Sequence, residues 1–373
     1  MPKKIIPPTY DSEILKQDIR WGEFRAGDLF DFIKRGRRIK SFDRIPGNLP
    51  FITAGIAKRG FSSFIGNLES EIFPANSLTI DMFGTVFYRN HEYGADDHIA
   101  VLYNNSMRYS KETLLFLGVC IEKAISGKFS YSRNFYASDA HDIIVLLPKT
   151  TEGLLNFAYM KSYIAKIEAE YITKLETHLT LSGLIDYELT DADKQVLKCE
   201  PRWGDFSLLD ILDWQSQVEI NPLHLEKLKI SNEERYPFYG QSTTNNGVIM
   251  HCELKEDVLN NKMGKPTILI HSNNQNVVYL ETPFYLKDGH GATSVLQASF
   301  LNKYNALFIM SSIKKVILDR FSYNAKATKI GLKNTRIKLP IYDNGALDLA
   351  YMEAYVKAQQ KFIIASVVQR LSV

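Results

Sequence analysis

Five cations stand within seven residues in Lys34-Arg35-Gly36-Arg37-Arg38-Ile39-Lys40. On a loop, with a glycine to let it turn, such a run can touch several phosphates, and binding of that kind weakens as salt rises. The other reading of the same run is a solvated basic loop. Lys58, Arg59, Arg89, Lys128 and Arg133 add positive charge near expected turns. The second half of the chain offers different chemistry. Gln241, Ser242, Thr243, Thr244, Asn245 and Asn246 form one run of amides and hydroxyls, and Asn273, Asn274, Gln275 and Asn276 form another. Paired amide donors and acceptors match the edge of adenine, whereas turns also favour Asn, so both readings stand. Tyr131 and Tyr323 each follow a Phe-Ser pair, beside Arg133 in one case and beside Lys326 and Lys329 in the other. Matching placement implies a shared role, either phosphate contact or core packing.

The segment from His91 to His98 holds metal-binding residue types, but its spacing fits no ligand motif and it reads as a polar loop. No metal and no cofactor is expected. A phosphate-cradling Gly-x-x-x-x-Gly-Lys-Ser/Thr, an Asn-Pro-Pro-Tyr or Asp-Pro-Pro-Tyr amino-methyltransferase motif, Gly-x-Gly-x-x-Gly and Gly-x-Ser-x-Gly are all missing from the sequence, which points away from catalysis. The net charge of +3 is mild and permits a polyanion partner only if the cations gather on one face. Cys120, Cys199 and Cys252 are odd in number and far apart, so neither a zinc site nor a disulfide framework is expected, and a reducing cytoplasm fits. The N-terminal residues lack the apolar stretch of a signal peptide, and no run of about 18 apolar residues suggests a membrane span.

The elements that must position these residues occur twice. Trp21-Gly22-Glu23-Phe24 returns as Trp203-Gly204-Asp205-Phe206 at an offset of 182. Leu49-Pro50-Phe51 returns as Tyr236-Pro237-Phe238 at 187, and Lys128-Phe129-Ser130-Tyr131 as Arg320-Phe321-Ser322-Tyr323 at 192. Leu147-Pro148, Gly153 and Ala158-Tyr159-Met160 recur at the same offset of 192. Order is kept while the offset grows, as in two copies of one domain with insertions in the middle. Within each copy, short runs rich in Val, Ile, Phe, Tyr and Thr read as strands, among them Leu78–Met82, Gly84–Tyr88 and Thr267–Ile270. Helices are expected near Lys111–Ile125 and Leu301–Val316, and strands over Ile143–Leu147 and Arg336–Leu339. Each copy then closes with a long helix whose apolar steps of 3 and 4 make a heptad seam. The seam is Phe157, Met160, Ile164, Ile167, Tyr171, Leu175 and Leu179 in one, and Leu349, Met352, Val356, Gln359, Ile363, Val367 and Leu371 in the other. The two seams could pack on each other, or each on its own domain.

A strand-rich domain with a trailing heptad helix, then the same again, resembles the specificity subunit of type I restriction–modification enzymes. It also resembles the separate specificity subunit of type II systems that cut on both sides of their site, the type IIB kind. Tyr236-Pro237-Phe238-Tyr239-Gly240 with Asn246-Gly247-Val248-Ile249 is similar to the family's "YPVYG…NGIIG" stretch, and Gly84-Thr85-Val86-Phe87-Tyr88-Arg89 to its "GSVGNVFYR". The resemblance implies an α+β fold of two duplicated target-recognition domains, each followed by a long helix, with the two long helices pairing antiparallel. The boundaries expected are 1–150 and 186–341 for the recognition domains, and 151–185 and 342–373 for the spacer helices. It implies a non-catalytic subunit that reads a bipartite sequence in double-stranded DNA and docks methyltransferase subunits and a restriction subunit, in the cytoplasm and away from membranes. The closing helices are short for a type I subunit, which favours a compact, type II-like system. A helix of about 27 residues spans roughly 40 Å, near one duplex turn, so half-sites about one turn apart are expected.

The DNA-contacting residues expected are Lys34, Arg35, Arg37, Arg38, Lys40, Lys58, Arg59, Arg89, Tyr131 and Arg133 in the first copy. In the second they are Gln241, Thr243, Thr244, Asn245, Asn273, Asn274, Tyr323, Lys326 and Lys329. Helix pairing falls to Phe157, Met160, Ile164, Ile167, Tyr171, Leu349, Met352, Val356, Ile363 and Val367. The rival readings are a duplicated scaffold for a protein partner and a nuclease with an unrecognised site.

Overall fold

The computed structural model describes residues 6–371, leaving out 68, 106–108, 232–233 and 323–324; Tyr323 therefore lies outside the described residues. The chain divides into two compact units, the break falling between residues 182 and 183.

In the first unit the Trp-Gly motif opens strand Arg20–Arg25. This strand pairs antiparallel with Ile144–Lys149, Trp21 facing Pro148 and Gly22 facing Leu147. A four-stranded antiparallel sheet runs in the order Phe32–Arg35, Ile99–Tyr103, Ser77–Asp81, Val86–Arg89. All five residues of Ser77–Asp81 are buried, because a cover lies on each face of the sheet. Alternate side chains of a strand point to opposite faces. Leu78 and Ile80 join the core that includes Leu117 and Ile121 of helix Lys111–Ile125, while Val101 on the neighbouring strand joins Ile52, Phe73 and Tyr93.

The second unit repeats this plan. Trp203–Ser207 pairs with Arg336–Pro340 in the same register, Trp203 facing Pro340 and Gly204 facing Leu339. Its four-stranded sheet is Asp213–Trp214, Thr293–Gln297, Thr267–His271, Val277–Leu280, again with a fully buried central strand. Ile268 and Ile270 meet Ile309 and Ile313 of helix Lys303–Arg320, and Leu269 meets Tyr239, Phe284 and Leu286. Truncating any of these central side chains to Ala would cost about 2–5 kcal/mol through lost contacts and a cavity.

The long helices are Phe157–Leu181 and Leu349–Leu371. Each starts the same way. Gly153 (φ 84°) and Gly345 (φ 82°) turn the chain through the left-handed region that glycine enters freely. Asn156 Oδ1 then accepts from Tyr159 N at 3.0 Å and Asp348 Oδ1 from Tyr351 N at 2.9 Å, which satisfies amides left bare at a helix start.

Part of the heptad seam packs within its own unit. Met160, with Phe157 and Ile164 packed beside it, belongs to the core of its own unit, and Met352 with Leu349 to that of the other. The helix leaves directly from the closing strand and lies along helix Lys111–Ile125 or Lys303–Arg320, so its first turns cover its own domain. Farther along, Tyr171, Ile363 and Val367 are exposed, and Ile172, Ala358 and Val368 are buried instead. Each long helix also meets a short helix of its own unit, Ser12–Lys16 or Asp191–Lys198, so a second face is buried besides the one that covers the domain. Ile167 and Val356 are half-buried.

Candidate nucleic-acid interface

Three loops of the first unit meet at the end of its central strand, around Asp81. The carboxylate is 3% exposed, and three backbone amides donate to it: Gly55 to Oδ2 at 3.0 Å, and Phe83 and Thr85 to Oδ1 at 3.0 and 2.9 Å. One acid thus ties the loop after Leu49–Ile52 to the turn after its own strand. Phe135 N donates to Met82 O at 2.9 Å and brings in the third loop. On that loop Tyr131 is 85% exposed and lies edge-on to Phe83 at 4.9 Å, while Arg133 sits over Phe129. Tyr131 is thus a surface ring.

The loop over Asp81 carries Lys58 (φ 48°), Arg59 (φ 54°) and Gly60 (φ 77°) in three successive left-handed positions. A Cβ on Gly60 would lie 2.6 Å from Thr53 O, so only glycine fits there. A side chain in this region costs roughly 1–2 kcal/mol, and Lys and Arg have no local bond to offset it. Arg89 braces the turn from below, its Nη1 donating to Arg59 O and its Nε to Thr79 Oγ1, both at 2.9 Å. Sequence reasoning put Arg89 among the DNA-contacting cations; it is 5% exposed, and burial pushes its pKa down to about 10. It faces inward because it ends the strand that pairs with Ser77–Asp81, where Arg89 stands opposite Ser77.

The basic run lies at the same end of the sheet. Arg35 ends its strand opposite Ala100, Ile99 stands opposite Asp81, and Gly36 N donates to Ile99 O at 3.0 Å. Gly36 is required here, since a Cβ would come within 2.3 Å of Asp96 O. The five cations divide in role. Lys34 pairs with Glu71 at 2.6 Å and Arg35 with Asp97 at 3.0 Å, and Arg37 donates to Glu69 O at 3.2 Å. Arg38 and Lys40 are exposed and form no ion pair among the described residues; Lys40 lies over Phe42.

Asp96, Asp97 and His98 bring one ligand atom each within 4.8 Å of one another, in the stretch read as a polar loop. His98 Nδ1 is 3.2 Å from Asp97 Oδ1, and Asp97 also carries Arg35, so the group acts as the counter-charge of the basic run.

The second unit builds the same end from other side chains. The loop after Tyr236–Tyr239 holds Asn245 (φ 49°), Asn246 (φ 52°) and Gly247 (φ 87°), the same backbone as Lys58-Arg59-Gly60. Thr53 N donates to Gly60 O in one copy and Gly240 N to Gly247 O in the other, both at 2.8 Å. Asn276 Nδ2 donates to Ser242 O and Ala327 N to Ser272 O, so the three loops again converge. Thr243, Thr244, Asn245 and Asn246 are exposed; Gln241, Asn273 and Asn274 are half-buried. The Gln241 amide and Asn273 Oδ1 have no partner among the described residues. Lys326 is exposed on the third loop and Lys329 is half-buried at the start of a short helix.

His271 takes the place of Asp81. It is fully buried, with Nδ1 3.2 Å from Thr293 Oγ1. Burial pushes its pKa down from 6.5 to about 4. The unfolded chain takes up this proton first as pH falls, so the contribution is intact above about pH 6.5 and is lost progressively toward pH 4. The second unit is expected to lose about 2 kcal/mol from this group at pH 5. Melting at pH 7 and pH 5 checks this: His271→Asn should lack that share of the acid loss. An unchanged loss would assign it elsewhere.

Sequence reasoning missed Asp81 and His271, both of which end a β-rich run and stand at an intermediate offset of 190. It also missed a duplicated aromatic cluster. Trp21 stacks on Phe116 at 6.5 Å, and Tyr159 and Tyr163 pack edge-on against Phe116 at 6.3 and 5.7 Å. In the second unit Trp203, Phe308, Tyr351 and Tyr355 repeat this at 6.4, 6.4 and 5.8 Å. Trp21 and Trp203 are 44% and 51% exposed. The recurring Trp-Gly and Ala-Tyr-Met words were the available signal.

Comparison with known proteins places this arrangement. The family described as type I restriction modification DNA specificity domain matches residues 19–177 and 202–367, once in each copy. The specificity subunit S.BcgI of a type II restriction enzyme from Heyndrickxia coagulans is 28% identical over 159 residues, 42% of this chain and 46% of that protein. The chain thus matches about half the length of that curated relative. The crystal structure of a type I restriction-modification system S subunit from M. genitalium has the same fold, at TM-score 0.55 and 14% identity over 98% of this chain and 94% of that one.

Proposed function

The chain belongs to the family of type I restriction modification DNA specificity domains, and from that premise we propose that it reads a two-part sequence in double-stranded DNA, one part per copy. One observation carries the reading: both units present the same three-loop end, on the same backbone frame, with different side chains. A frame held constant under altered donors and acceptors suits two related readers of two sequences. In the first unit Arg38, Lys40, Lys58, Arg59, Tyr131 and Arg133 face the duplex, Arg38, Lys40, Lys58, Arg133 and the ring holding phosphates and Arg59 on the turn reaching the groove. In the second, Gln241, Thr243, Thr244, Asn245, Asn246, Asn273 and Asn274 supply hydrogen bonds, with Lys326 and Lys329 on the phosphates. The recognition domains are residues 1–150 and 186–341, and the closing helices set the spacing between half-sites.

The chain performs no chemistry itself. Methyltransferase subunits, and a restriction subunit with them, act at the site it selects, in the cytoplasm. The aromatic cluster around Trp21 and its repeat around Trp203 support a protein partner that docks twice in the same way, since these surfaces match where the loops differ. Among the described residues no helix is long and apolar enough to cross a membrane.

Enrichment of random duplexes on the full chain tests this reading. Two short blocks separated by an unspecified spacer are expected. A single contiguous block, or metal-dependent cleavage by the isolated chain, would contradict it.

A further inference from the structure

We infer that the left-handed turn sets the base chemistry of each half-site: Arg59 selects guanine in the first, and Asn246, at the same place in the second, selects adenine. This rests on the DNA reading above.

The two turns are superposable in kind. Each follows a strand that pairs antiparallel with the next strand, with a register shift at the same point, Phe51/Ile52 in one and Phe238/Tyr239 in the other. Each places two non-glycine residues and then a glycine at positive φ. Lys58 thereby corresponds to Asn245 and Arg59 to Asn246, and all four are exposed.

The backbone alone would favour Asn at both places, because Asn enters the left-handed region more readily than Lys or Arg. The second copy has this easy solution. The first copy carries two long cations against the preference of the turn, and a buried Arg89 braces its backbone at Arg59 O.

Bonding within each turn leaves that chemistry available. Arg59 donates from Nη2 to Tyr88 O at 2.9 Å and lies over Phe87, which fixes the guanidinium, and its side chain makes no other hydrogen bond among the described residues. A fixed guanidinium pairs with guanine O6 and N7. Asn245 donates from Nδ2 to Val248 O at 3.3 Å, whereas Asn246 forms no side-chain hydrogen bond among the described residues. A free amide pairs with adenine N6 and N7.

The test is enrichment of random duplexes on the full chain, comparing wild type with Arg59→Asn and, separately, Asn246→Arg. Melting is followed in each; Arg59→Asn moves toward the residue the turn prefers and should fold at least as well. Wild type should enrich guanine at one position of the first block and adenine at one position of the second. Arg59→Asn should change that guanine to adenine, by about tenfold or more in preference, and leave the second block intact. Asn246→Arg should do the reverse. A motif that the exchanges leave unaltered overturns the inference and spares the DNA reading. A uniform loss across all sequences makes Arg59 a phosphate contact and also overturns it. No enriched motif with the folded wild type overturns the DNA reading and this inference together.

Discussion

Replacing Asp81 by Ala is expected to destabilise the first unit by about 4 kcal/mol, which corresponds to a fall of roughly 10 °C in its melting temperature. The carboxylate collects three backbone amides from two loops in a site with almost no solvent. Hydrogen bonds to a charged group contribute about 1.5–3 kcal/mol each, and orphaning a buried donor adds the cost of its lost hydration. Asp81→Asn keeps one carbonyl oxygen and should cost about half as much. Because the bond from Gly55 N anchors the loop that carries Lys58 and Arg59, recognition of the first half-site should be lost ahead of global unfolding, with the second half-site still read. The check is denaturant unfolding of each variant beside its enriched motif. An Asp81→Ala chain with wild-type stability would show that the amides find other partners.

Arg38→Ala with Lys40→Ala should give the largest change in binding. Among the described residues these two cations of the basic run have neither an acidic partner nor a hydrogen-bonded acceptor, unlike Arg37 on Glu69 O, so they are free to displace counterions from a duplex. Each phosphate contact adds about 0.9 to the slope of log affinity against log salt, so the double variant should flatten that slope by nearly 2 and bind more than tenfold more weakly at low salt. Lys34→Ala with Arg35→Ala is the contrast. Those cations are spent on Glu71 and Asp97, and their removal should change the slope little. Equal flattening by both pairs would mean that the intramolecular ion pairs open on binding.

The duplicated architecture was legible in the sequence because it rests on rigid words: Trp-Gly opens a strand, Leu-Pro closes its partner, and a glycine turns the chain into the long helix. The helices at Lys111–Ile125 and Lys303–Arg320 were legible from period and composition. The loop end was legible only in outline. Lys58, Arg59 and Asn245 were picked for their chemistry, but nothing in sequence spacing says that Lys-Arg and Asn-Asn occupy one backbone conformation, since left-handed residues are fixed by the strands on either side. Arg89 was misjudged because a cation beside a turn can point either way, and only strand register decides. Asp81 and His271 were invisible because they differ in residue type while sharing a place. In the long helices the spacing showed one apolar face, but not that a short helix of each unit, Ser12–Lys16 or Asp191–Lys198, packs on another.

On the proposed reading this chain alone selects the sequence. Co-expression with the methyltransferase partner proposed for it, followed by mapping of methylated bases across the host genome, tests this most directly. One two-part motif is expected, methylated only when this chain is present, whose first part changes in the Arg59→Asn variant. Methylation that is the same with and without the chain, with both proteins folded and soluble, would contradict it.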